Sequence, residues 1–118
     1  MSDIDAGRKP AAPSSPGGSR RRTPTSVARA LRELGEHAAT WRKLQRLPAA
    51  TVAARAGISR STLYEVEHGS GKASTENLFR VLNVLGILRP MVSAADPYLT
   101  DVGKLRADEV LPERVRRR

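Results

Sequence analysis

The amino-acid sequence predicts an all-α protein, and three observations carry that prediction. Apolar residues make up 39% of the 118 and aromatics only 3%, so a core must be built mostly from Leu, Val and Ala. Ala and Leu have high helix propensity, and β-branched and aromatic residues are too scarce for a sheet. Apolar positions recur at spacings of three and four, the period of an amphipathic helix. Ser or Thr stands before these runs and Gly after them, as helix caps do. The chain divides into a basic arm over 1–24, a helical domain over 25–92 and an extension over 93–118.

Residues 1–24 are rich in Pro, Gly, Ser and Ala and have almost nothing to bury, so this arm is predicted to be disordered. Arg20, Arg21 and Arg22 form a basic run at its end. They are either a solvated linker or an arm that meets phosphates or a minor groove.

A first helix is predicted over 26–46, capped by Thr25 or Ser26, with Val27, Leu31, Leu34, Ala38, Trp41 and Leu44 or Gln45 as its apolar stripe. Gly35 interrupts it at a cost of about 1 kcal/mol relative to Ala. Two helices meeting near Gly35 also fit, and one helix with a weak point there is preferred. Trp41 is assigned to the core, and Arg42, Lys43 and Arg46 to solvent or a phosphate backbone.

Pro48 ends this helix and suits the first turn of the next. Val52, Ala53 and Ala56 give the second helix a small apolar face, and Gly57 supplies the positive φ of a tight turn. Ile58 plugs the turn into the core. Ser59 caps a third helix in which Leu63 and Val66 point inward and Arg60, Ser61, Tyr64 and Glu65 outward, ending at His68-Gly69. Ser74 or Thr75 caps a fourth helix, with Leu78, Val81, Leu82 and Leu85 inward and Gly86 at its end. Ile87 and Leu88 either pack on the core or pair as a short extended segment with Met91-Val92, against which Pro90 argues. In the extension, Asp96-Pro97 breaks the chain and Val102, Leu105 and Val110 make a short helix interrupted at Gly103. The basic end RVRRR closes either a loosely attached tail or a partner- or phosphate-binding extension.

A formal net charge of +9 and a pI of about 11.2 point to an acidic partner, nucleic acid before a membrane surface. There is no cysteine, which excludes disulfides and thiolate zinc sites. His37 and His68 are far apart with no ligand pattern around them, so no metal and no cofactor is expected. No apolar run reaches the roughly 20 residues of a membrane span. The start, with Asp3 and Asp5, has no apolar signal region, so a soluble cytoplasmic protein is expected.

The stretch 47–69 meets the requirements of a helix-turn-helix: small Ala53 facing the second helix, Gly57 in the turn, aliphatic Ile58 as plug, then Leu63 and Val66. VAARAGISRSTLYEVEHG, within a match running from about Leu34 to Leu88, resembles the Xre/Cro/C1-type helix-turn-helix family of phage and bacterial repressors. Leu47, Val52, Ala53, Ala56, Gly57, Ile58, Ser59, Leu63, Val66, Glu67 and Gly69 match its pattern. The resemblance implies a lambda-repressor-like five-helix DNA-binding domain that acts as a homodimer on a palindromic operator. It also implies that Glu67 is structural. Where that family often has Thr-Gln at the start of the second helix, this chain has Pro48-Ala49. A side-chain contact to phosphate is thereby lost, while the backbone N–H groups at Ala49 can still bind one.

Arg60, Ser61, Tyr64 and Glu65 are the candidate base readers: Arg for guanine, Glu for cytosine N4, Tyr for a thymine methyl or a phosphate. Ser59, Thr62, Lys72 and Arg42, with Ala49, are the candidate phosphate contacts. His68 is expected to be exposed. The expected function is sequence-specific double-stranded DNA binding in transcription regulation, most simply as a repressor. The alternative is an antitoxin that autoregulates its operon and holds a protein partner through its tail. No paired carboxylates, histidine constellation or Gly-rich phosphate loop suggests an enzyme.

Overall fold

The structure, a computed structural model, describes residues 22–111. The arm with Arg20 and Arg21 and the RVRRR end lie outside the described residues. Among the described residues six α-helices follow one another: α1 Thr25–Leu44, α2 Ala49–Ala56, α3 Arg60–Glu67, α4 Thr75–Leu85, α5 Leu88–Ala94 and α6 Asp101–Val110. A 3-10 turn, Pro97–Leu99, separates the last two. No strand occurs among the described residues, and none of their helices is long and apolar enough to cross a membrane.

The core lies where α1 to α4 meet. Ala38, Val52, Ala53, Leu63, Val66, Val81 and Leu85 form one buried cluster, with Leu47, Ile58, Leu78 and Ile87 half-buried against it. Ala53 is small where α2 and α3 approach, and Ile58 plugs the turn, as their positions require. Caps fix the ends. Ser59 Oγ accepts from Thr62 N at 3.0 Å and Ser74 Oγ from Asn77 N at 3.0 Å. Each of α1 to α4 closes with an N–H bonded to the carbonyl five residues back: Leu47 to Arg42, Ile58 to Ala53, Ser70 to Glu65, Ile87 to Leu82. The residue just before each of these N–H groups has positive φ: Arg46, Gly57, Gly69 and Gly86. This left-handed closure suits glycine, and Arg46 adopts it with a Cβ.

Two side-chain ties brace the bundle. Arg80 Nη1 donates to Ala56 O at 3.1 Å while its Nε and Nη2 hold Glu76 one turn earlier. A guanidinium thus meets the negative end of α2. Gln45 Nε2 donates to Leu85 O at 2.8 Å and joins the ends of α1 and α4.

Several expectations are corrected. α1 is one helix, but no side chain caps it: Pro24 holds the cap position in extended backbone, and Ala28 N bonds its carbonyl. Its packing face follows the apolar stripe at Leu31, Leu34 and Ala38 but departs from it at both ends. Val27, Trp41 and Leu44 are exposed, Trp41 by 44%, while Gly35 and Ala38 are buried. Trp41 is therefore not a core residue. Gly35 is not a weak point either. A Cβ there would stand 2.5 Å from Glu67 O and 2.6 Å from Val66 O, so its bare Cα lets α1 lie against the last turn of α3. Pro48 is the N-cap of α2, outside its first turn. Residues 88–94 are helical, because Pro90 falls in the first turn, where its missing N–H costs nothing. α6 runs unbroken through Gly103, which fits because a Cβ would strike Pro97 O.

Replacing Gly35 with alanine is expected to reduce stability by about 1–3 kcal/mol, the cost of forcing an extra carbon into a packed contact. Helix propensity alone favours alanine by about 1 kcal/mol. A urea midpoint at or above that of the parent protein would refute the close-approach role.

Candidate nucleic-acid interface

α3 is eight residues long and too short to persist alone in water, so its direction comes from what grips it. Leu63 and Val66 anchor its inner side. Its outer side carries Arg60, Tyr64 and His68 at intervals of four, a single ridge along the helix. Ser61 lies beside them, and all four are exposed. Tyr64 stacks on His68 with ring centroids 3.7 Å apart, and His68 Nδ1 lies 2.9 Å from Tyr64 O. The stack holds two rings in one orientation at the end of the ridge.

An open groove runs along this ridge, lined by Arg42, Ala49, Arg60, Ser61, Tyr64 and His68, with Glu67 at its base. The N-terminus of α2 forms its wall. The first N–H groups of a helix lack intrahelical partners, so Ala49 brings backbone donors and a positive dipole end to the groove. Arg60, Ser61, Tyr64 and Ala49 thus line one groove. Glu65 does not join them. It is half-buried on the other flank of α3, beside Leu31, Leu34, Ala73 and Leu78. Lys72 is exposed in the loop after α3, where its N–H bonds Ser70 Oγ at 3.1 Å.

The hydroxyls at the start of α3 are already engaged. Ser59 Oγ, besides capping, lies 2.9 Å from Thr62 Oγ1, to which it donates, and 3.1 Å from Ser61 Oγ. Ser59 and half-buried Thr62 therefore act first as the start of the helix.

Arg42 is the main correction to the expected site. It points inward instead of to solvent. Its Nε donates to Glu67 Oε2 at 2.7 Å, its Nη2 to Glu67 Oε1 at 3.1 Å and its Nη1 to Leu47 O at 3.2 Å. Both side chains are largely covered, at 16% and 11% exposure. A bidentate guanidinium–carboxylate pair is directional, so it fixes α1 to the end of α3. The hydrogen bond to Glu67 raises the Arg42 pKa above its ordinary value; burial opposes this and the charge of Glu67 adds to it. Arg42 therefore stays charged as Glu67's partner instead of lying open as a phosphate ligand.

Sequence reasoning missed Arg32, the Tyr64–His68 stack and the role of Gly35. Arg32 borders a second open groove with Glu36, Thr40 and His68 and with Lys43, which the sequence already assigns to solvent or a phosphate backbone. Their positions off the apolar stripe marked them as polar but not as neighbours of α3. The Tyr64–His68 stack follows from an i, i+4 aromatic pair, a signal present in the sequence. The role of Gly35 carries no local signal.

This geometry is an outward polar ridge on a short helix, buttressed by a second short helix across a glycine turn. A helix-turn-helix family model matches residues 39–89. Over those residues the chain is similar to helix-turn-helix domains of the Xre/Cro/C1 type. No curated protein and no solved structure matches the chain. Helix-turn-helix domains of this kind bind double-stranded DNA in transcriptional regulators.

A double-mutant cycle checks the Arg42–Glu67 tie. Either Arg42→Met or Glu67→Gln alone is expected to cost about 2–3 kcal/mol by leaving a largely covered charged partner unmatched. The double variant is expected to lose less than the sum of the two. Additive losses in chemical denaturation would show that the pair is not coupled.

Proposed function

We propose that this protein is a sequence-specific regulator of transcription, a repressor that binds a palindromic operator as a homodimer. The observation that carries the reading is the ridge Arg60–Tyr64–His68 on α3, with Ser61 beside it and the open N-terminus of α2 alongside. Its dimensions suit a major groove, which admits one α-helix. Repression and dimeric binding are supported by the resemblance of 47–69 to phage and bacterial repressors.

Arg60, at the first position of α3, presents a guanidinium to base edges and suits guanine O6 and N7. Ser61 and Tyr64 follow it along the groove. Glu65 stands on the flank of α3, turned away from the ridge. The N–H groups at Ala49 take one phosphate, and Lys72 takes another from the loop. The net charge of +9 adds non-specific attraction, which weakens steeply with salt.

Selection of bound duplexes from a random pool, followed by salt titration, tests the reading. The selected duplex is expected to bind about 10³-fold or more tightly than a random one at physiological salt. Arg60→Ala is expected to cost about 1–3 kcal/mol and relax the preference at one position per half-site. Equal affinity for selected and random duplexes would reduce the protein to a charge-driven coating protein. An unchanged preference in Arg60→Ala would remove Arg60 from the base readers.

A further inference from the structure

His68 closes α3 and stands between two open grooves, one lined by Arg60, Tyr64 and Ala49 and the other by Arg32, Glu36 and Lys43. Its ring is exposed yet held in one orientation. It stacks on Tyr64 with centroids 3.7 Å apart and planes 26° from parallel, and its Nδ1 lies 2.9 Å from Tyr64 O. A carbonyl oxygen only accepts, so Nδ1 is the donor and carries a proton. That fixes the role of the other nitrogen. In the neutral ring Nε2 is an acceptor, and in the imidazolium it is a second donor.

Position identifies what Nε2 meets. A recognition helix touches base edges with its N-terminal residues, which here begin at Arg60. His68 follows about 12 Å further along the axis, at 1.5 Å per residue. That is about the width of the major groove, so this end of α3 emerges at a phosphate wall. A backbone phosphate accepts hydrogen bonds. Neutral imidazole turns a lone pair toward it, and imidazolium makes a charge-assisted bond to it. The charged groups around the ring are Arg32, Glu36, Arg42 and Lys43 from α1. From α3 they are Tyr64, Arg60 and Glu67. Arg42 occupies the Glu67 carboxylate, and among the described residues the ring is hydrogen-bonded to the Tyr64 carbonyl and to no carboxylate. The anion that favours a second ring proton therefore arrives with the DNA.

We propose that His68 is a proton-linked phosphate contact: with its Nδ1–H held by the Tyr64 carbonyl, the imidazolium donates Nε2–H to the DNA backbone, so that binding takes up a proton. This rests on the reading of α3 as the DNA-contacting helix and adds regulation by pH to it. Because the protonated ring is the form that binds, affinity is greatest in acid and falls as pH rises through the range where histidine loses its proton, about pH 5 to 8. One proton changes the dissociation constant by at most about tenfold per pH unit.

Binding of the full chain to a selected and to a random duplex, at fixed ionic strength between about pH 5.5 and about pH 7.5, tests this. The wild-type dissociation constant is expected to rise about three- to tenfold across that range. The factor is expected to be alike on both duplexes, because a phosphate contact carries no sequence information. His68→Gln, neutral throughout, is expected to bind without pH dependence at the wild type's weaker, high-pH affinity. His68→Lys, charged throughout, is expected to be equally flat and about three- to tenfold tighter than His68→Gln. His37 is exposed on α1 and borders neither groove, so His37→Gln is expected to keep the wild-type profile. A flat wild-type profile, a pH dependence that survives in His68→Gln, or equal affinities of the Gln and Lys variants would overturn the proton-linked contact and leave specific DNA binding standing. A pH effect confined to the selected duplex would overturn the phosphate assignment and make His68 a base reader. Equal affinity for the two duplexes at every pH would overturn the DNA-reading role of α3 itself.

Discussion

The crossing of α1 over the end of α3 is the contact on which the domain depends. Two backbones meet there with no side chain between them at Gly35, whose Cα faces the carbonyls of Val66 and Glu67. The reciprocal position is Gly69, where a Cβ would stand 2.5 Å from Leu31 O. Two turns along α1, Arg42 binds the Glu67 carboxylate through two donors. Sterics set the separation of the helices and the ion pair sets their register. The eight residues of α3 thus take their orientation from a helix of twenty. That transfers rigidity to an element that could not hold it alone, and preorganisation lowers the ordering cost of binding.

This arrangement also changes what the net charge means. Arg42 neutralises Glu67 inside the frame, and Arg80 is spent on Glu76 and the C-terminal carbonyl of α2. These cations hold the scaffold. The charge facing the groove comes from Arg60, with Lys43 and Arg32 on the neighbouring groove. A count of basic residues overstates the positive field at the groove and says nothing of its direction.

The α2–turn–α3 unit was legible in the sequence because each of its signals is local. Gly57 takes positive φ, Ser59 caps α3, and Leu63 and Val66 are buried. Ser74 and Gly86 bracket α4 for the same reason. The face of α1 was legible at Leu31, Leu34 and Ala38 but not beyond them. Its hydrophobic stripe pointed to Trp41 and Leu44, whereas the packed face includes a glycine and an arginine. Hydrophobicity cannot mark either one as inward, since one is chosen for its absent side chain and the other for a partner 25 positions away. The face of α3 was read correctly at Arg60, Ser61 and Tyr64 and misplaced at Glu65, which lies at the margin where helical period alone does not decide exposure.

By itself, the sequence determined the all-helical class, the helix-turn-helix and the caps that bound its helices, because propensity, period and cap chemistry act within a few residues. Only the tertiary structure decided that Arg42 pairs with Glu67, that Gly35 is a contact rather than a flaw, and that Val102, Leu105 and Val110 of α6 are exposed. Each of these depends on which surfaces meet across tens of residues, and no local pattern encodes that.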